Sequence, residues 1–99
     1  MIRSRLELTA RPEGRAALLA MLDRAEVVVA ARDQPGFLGI GVLVDLDDPD
    51  GIVVESSWSS REHFERWLDG SAGPALGSVR DLLAAEPEAR LFQLVDTIS

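Results

Sequence analysis

The chain has no cysteine, no lysine and no tyrosine, and only one histidine and two tryptophans among its 99 residues. Without cysteine there are no disulfides, no thiolate metal ligands and no catalytic thiol. That composition is compatible with a reducing compartment, so a cytoplasmic location is the expectation. All ten basic residues are arginine, none of them in a basic run, against 17 acidic residues and a net charge of −7. Such a charge repels phosphate backbones and anionic lipid, so neither nucleic acid nor a membrane surface is an expected partner. No apolar stretch approaches the roughly 18 residues that a membrane span needs. The start, MIRSRLELTARPEG, alternates charge with apolar groups and lacks the apolar core of a signal peptide. Glycine and proline are sparse and 46% of residues are hydrophobic, as in a folded globule. The length predicts a single domain over residues 1–99. A chain of this size buries roughly two-thirds of its unfolded surface and gains from an oligomer interface.

The hydrophobic periods predict the elements. Ile2, Leu6, Leu8 and Ala10, with Ser4 as the polar exception, alternate with Arg3, Arg5, Glu7 and Thr9, the pattern of a half-buried strand. After Pro12 and Gly14, a helix is expected from Ala16 to Arg32, with Leu18, Leu22, Ala25 and Val29 on one stripe. Gln34-Pro35-Gly36 stops it. Phe37 to Leu46 reads as the second strand, with Leu38, Ile40, Val42, Val44 and Leu46 on one face and Phe37, Gly39, Gly41, Leu43 and Asp45 on the other. Its glycine spacing is not that of a dinucleotide fingerprint, and no helix opens after it. Asp47-Asp48-Pro49-Asp50-Gly51 is a hairpin turn. Its aspartates do not make a calcium loop, because Asp50 stands where the loop needs glycine and Ser56 where it needs the distal glutamate.

Ile52 to Trp58 is the third strand, followed by Ser59-Ser60-Arg61-Glu62, which fits a capping box on Ser59. The helix that follows puts Phe64, Trp67 and Leu68 on its core face, with His63 one turn before Trp67. Capping at Ser59 makes Trp58 and His63 the staple positions. A further helix is expected from Gly73-Pro74, on a stripe of Leu76, Val79, Leu82 and Leu83, and Pro87 closes it. Arg90 to Thr97 is the last strand. The resulting order β-α-β-β-α-α-β predicts an α+β, ferredoxin-like fold, a four-stranded antiparallel sheet with helices on one face. Leu91, Val95 and Leu43 would then place apolar groups on the second sheet face, beside Arg5, Glu7 and Glu55. A sheet-to-sheet homodimer would cover it.

The run Pro35-Gly36-Phe37-Leu38-Gly39, the hairpin, and then Trp58-Ser59-Ser60, Glu62, Phe64 and Trp67 resemble the antibiotic biosynthesis monooxygenase family over essentially the whole chain. The resemblance implies a dimeric α+β barrel with two sheets facing each other. It also implies a cofactor-independent monooxygenase that oxidises a phenolic or hydroquinone, polyketide-like aromatic with O₂ and no metal or flavin. A cyclase or isomerase on the same barrel, or a non-catalytic ligand-binding dimer, are the alternatives. In this chain Trp67 matches the family's pocket tryptophan, and His63 stands where quinone-forming members have an asparagine. Their tyrosine has no counterpart here, its place falling near Gly73. Arg90 and Arg80 are the candidates for the pocket arginine. Haem-degrading members carry an iron-ligating histidine at the place of Gly77. The expected roles are His63 as the base that takes a proton, Trp67 as a stacking surface and N–H donor, and Arg90 as the partner of a phenolate. The implied partners are a small aromatic substrate and O₂.

Overall fold

The computed structural model describes residues 1–24 and 31–98. Its elements are β1 (Ile2–Thr9), α1 (Arg15–Arg24), β2 (Phe37–Val44), β3 (Gly51–Trp58), α2 (Arg61–Trp67), a π-helical turn (Leu68–Ala72), α3 (Gly73–Gly77), a 3₁₀ turn (Arg80–Leu82) and β4 (Glu88–Gln93). The four strands form one antiparallel sheet in the order β2-β3-β1-β4. This is the α+β, ferredoxin-like architecture that the element order predicts. The first helix is present from Arg15. Ala25 and Val29 of its expected stripe lie outside the described residues. No helix among the described residues is long and apolar enough to cross a membrane.

β1 and β3 are the central strands, and their alternation separates two environments. Ser4, Leu6, Leu8, Ile52, Val54, Ser56 and Trp58 point into the core, where Leu18, Leu22, Phe64, Trp67, Leu76 and Val79 meet them from the helical layer. The register Ile2↔Trp58, Ser4↔Ser56, Leu6↔Val54 and Leu8↔Ile52 stacks these inner residues in rows across the pair. Arg3, Arg5, Glu7, Val53, Glu55 and Ser57 face the other way.

Several local expectations change once register is visible. A bulge between Phe37 and Gly39 moves Phe37 opposite Trp58 on the inner face, together with Ile40, and leaves Leu38 exposed. β4 starts earlier than expected and stops at Gln93, because its partner β1 runs out at Ile2 and Leu94 N–H can only donate to the Met1 carbonyl. Its register places Leu91 opposite Ser4 and packs it against the core, so Phe92 and not Leu91 faces outward. β2 stops at Val44. Asp45 Oδ1 accepts from the N–H groups of Asp47 and Asp48, which turns the chain and holds the Asp45 carboxyl below the usual carboxylate range. Arg15 adds two hydrogen bonds to the Asp45 and Asp48 carbonyls.

The second helical layer is also more broken than its stripe suggests. Gly70 and Gly73 lie in and just after the π turn, and a Cβ on Gly73 would stand 2.6 Å from the Leu68 carbonyl oxygen. α3 is a five-residue helix, and Leu76, Val79 and Leu83 still reach the core while Leu82 is half-buried. Ala10 bridges Leu83, and Ala84 N–H donates to Thr9 O, which returns the chain beside β1 before β4 begins.

Candidate active site

The end of β3 and the start of α2 gather the aromatic groups. Trp58, the last residue of β3, is fully buried on the inner face. Its ring centroid lies 5.7 Å from Phe37, 6.4 Å from Phe64 and 5.2 Å from Trp67, and Phe64 lies 6.0 Å from Trp67. Edge-on and tilted pairs of this kind add roughly 0.5–1.5 kcal/mol each beyond the area they bury. Trp58 is therefore the hub of the cluster and not a corner staple.

The two indoles differ in one respect. Trp58 Nε1 donates to Ser56 Oγ at 2.8 Å, from the residue two places earlier on the same strand face. Trp67 Nε1 is buried and has no hydrogen-bond partner among the described residues. An indole N–H can only donate, so one left buried without an acceptor destabilises by about 1–3 kcal/mol.

α2 is capped one residue later than the sequence suggests. Ser60, in an extended conformation, is the N-cap, and its Oγ accepts from His63 N–H at 3.3 Å. Both serines satisfy the capping pattern by type, but with Ser60 chosen Glu62 becomes the second helical residue. It then favours the helix dipole without reaching back. His63 takes over the reciprocal position. Its Nδ1 lies 2.7 Å from Ser60 Oγ and 3.1 Å from Ser59 Oγ. The half-buried ring also packs on the loop before β2. Gly36 has φ +78°, and a Cβ there would come within 2.4 Å of His63 Cγ. Ser59 N–H donates to the Gly36 carbonyl at 2.9 Å. Only glycine both adopts this backbone and leaves room for the imidazole.

His63 and Trp67 thus share α2, four residues apart, with His63 at the cap and Trp67 in the interior. Arg90 is elsewhere. Its register opposite Arg5 puts it on the outer sheet face, where its guanidinium stands 5.3 Å from the Phe92 ring centroid, with Arg5 at 5.8 Å. Arg80, the other candidate, pairs with Glu86 at the surface. Sequence reasoning did not single out Ser56 as the Trp58 acceptor or Gly36 as the seat of His63. The first was visible in principle, since residues i and i+2 of a strand share a face. The second depends on a contact between β2 and α2 that no local pattern carries.

Fold and interior together define an α+β protein with a buried aromatic cluster between sheet and helices. The family profile described as antibiotic biosynthesis monooxygenase matches residues 1–72, and the chain belongs to that family. A heme-degrading monooxygenase of Bacillus thuringiensis is 32% identical over 60 residues, which are 59% of this chain and 56% of that protein. The chain therefore spans about half the length of the curated relatives it matches. Among solved structures, Rv0793 from Mycobacterium tuberculosis superposes with a TM-score of 0.82 at 19% identity, covering 99% of this chain and 98% of that one. SnoaB from Streptomyces nogalater, described as a cofactor-independent oxygenase, superposes with a TM-score of 0.79 at 21% identity, covering 98% and 95%. At these identities the superpositions establish the fold.

The residues present do not fit haem. The iron needs an axial ligand, and the chain has one histidine and neither cysteine nor tyrosine. That histidine, His63, stands at the cap of α2 against Gly36, one helix before the place of Gly77. Gly77, at the place where the resemblance puts an iron ligand, has no side chain to offer.

Proposed function

We propose that the chain is a cofactor-independent monooxygenase that oxidises a phenolic or hydroquinone, polyketide-like aromatic with O₂. The observation that carries this reading is the buried N–H of Trp67, without a partner among the described residues and set in a wall of aromatic rings. A planar aromatic stacks on such a wall, and its oxygen supplies the missing acceptor. The reaction starts when a base takes a proton from the activated methylene or hydroxyl, leaving an electron-rich anion. The anion passes one electron to O₂, and the radical pair combines to a hydroperoxide. Loss of water then leaves a carbonyl: one oxygen atom enters the product and the other leaves as water, with both hydrogens of the methylene. Trp67 Nε1 holds the developing oxygen charge where water is excluded. His63 takes the proton through Nε2, its Nδ1 being held by Ser60 and Ser59.

The outer sheet face supports a homodimer. It carries Arg3, Arg5 and Arg90 against Glu7, Glu55 and Glu88, so it is neutral on a chain of net charge −7. Two such faces can meet without the repulsion the rest of the surface would bring. The arginines lie in the rows of Phe92 and Arg90, while Glu7 and Glu88 share the next row. Antiparallel stacking of two copies therefore sets basic rows over acidic ones. Exposed Phe92 and Leu43 would be covered there. In this arrangement Arg90 belongs to the interface. Native mass spectrometry at micromolar concentration is expected to give the dimer mass; a persistent monomer would refute the interface.

The oxidation itself is tested by incubating purified protein with anthrone, aerobically and anaerobically, and scoring the product by mass. The expected result is O₂-dependent conversion of the methylene to a carbonyl above buffer. An isomeric product of unchanged mass would indicate a cyclase or isomerase. Binding without conversion would favour a ligand-binding accessory dimer, the reading that the engagement of His63 at the helix cap supports.

A further inference from the structure

Among its buried residues the inner sheet face is apolar except at one place. Ser4 and Ser56, at 1% and 2% exposure, stand directly opposite each other on the two central strands. Ile40 flanks Ser56 and Leu91 flanks Ser4, so the two hydroxyls occupy the middle of a row whose ends are hydrophobic. Small apolar residues would fill those positions with less desolvation. Ser56 Oγ accepts from Trp58 Nε1, which leaves its own proton to donate. Trp58 in turn stacks 5.2 Å from Trp67, whose N–H has no acceptor among the described residues. The interior therefore concentrates hydrogen-bond donors at the floor of the sheet and on the wall above it.

We propose that Ser4, Ser56 and Trp67 Nε1 form the polar end of the interior site and take an unprotonated oxygen of the ligand, a carbonyl or phenolate oxygen. This rests on the reading that an aromatic substrate occupies the interior beside Trp67, and it adds which end of that substrate is recognised. An acceptor oxygen satisfies the donor-only indole and takes the proton that Ser56 Oγ has left to give, whereas a ligand carrying only carbon and hydrogen leaves the Trp67 N–H without an acceptor. Ser4 and Ser56 are positioning residues: they orient the oxygen and leave proton transfer to His63.

The test uses Ser4→Ala in the full chain, because that change leaves the Trp58–Ser56 hydrogen bond intact. Quenching of the two tryptophans is titrated with anthrone and with dihydroanthracene, which has a methylene in place of the carbonyl. The wild type is expected to prefer anthrone. Ser4→Ala is expected to weaken anthrone binding about 5- to 10-fold, the range for one neutral hydrogen bond, and to leave dihydroanthracene binding unchanged or tighter. Its Tm is expected to stay the same or rise, since the substitution removes a buried hydroxyl. Equal loss for both ligands together with a fall in Tm would mark a merely structural hydroxyl and overturn the proposal. So would a wild type that binds neither ligand, or one that does not favour anthrone. O₂-dependent conversion of anthrone by a protein indifferent to Ser4→Ala would overturn this proposal alone. The predicted binding pattern without any conversion would instead overturn the oxidation reading alone.

Discussion

Replacing Trp58 by alanine is expected to destabilise the fold by about 3–5 kcal/mol, the range for emptying a buried aromatic site. Trp58 is completely buried and packs on Phe37, Phe64 and Trp67 at once, so its removal opens a void at the point where β2, β3 and α2 meet. It also takes the N–H away from Ser56 Oγ. Domains of this size are stable by roughly 5–15 kcal/mol in all, so one substitution consumes a large share of that margin. Urea denaturation followed by circular dichroism measures it, and a loss below about 1 kcal/mol would mean that Trp58 is not the hub of the core.

Replacing Trp67 by phenylalanine is expected to do the opposite: leave stability nearly unchanged and lower turnover strongly. The phenyl ring keeps the contacts to Trp58 and Phe64 in kind, and the N–H it removes has no partner among the described residues. Deleting an unsatisfied donor offsets part of the lost packing, so the expected change is within about 1 kcal/mol. If that N–H holds the oxygen on which charge develops, turnover of anthrone falls by a factor on the order of 10²–10³. Thermal unfolding and oxygen uptake on the same preparation check both halves. A large fall in Tm with proportionate loss of activity would make Trp67 a packing residue.

The strands and their order are legible because their signal is local. The period-two alternation of β1 and β3 needs no knowledge of the partners, and the Asp-Gly hairpin joins β2 to β3 in the open. What fails depends on register. One extra residue at Leu38 turns Phe37 inward, and a bulge leaves no mark in the hydrophobic pattern. Leu91 and Phe92 are both apolar, so only pairing with β1 decides which faces the core. The same pairing carries Arg90 to the outer face. At the start of α2 the adjacent serines each satisfy the capping pattern, and the contact of His63 with Gly36 settles the choice. Trp67 is legible as a core residue from its stripe. The proposal that it walls a pocket starts from the family resemblance, and its N–H, without a partner among the described residues, becomes visible only in three dimensions. Ser4 breaks the alternation of β1 in plain view, but its meaning requires Ser56 opposite it.

The proposed reaction transfers one oxygen atom from O₂ to an aromatic substrate without a metal or flavin. The most direct measurement is the mass of the product formed from anthrone under isotopically labelled dioxygen, with chelator present and cofactor-free protein. One labelled oxygen atom is expected in the quinone, formed above the buffer rate by the wild type and nearly absent with Trp67→Phe. Product that carries no label, or that forms no faster than in buffer, would contradict it.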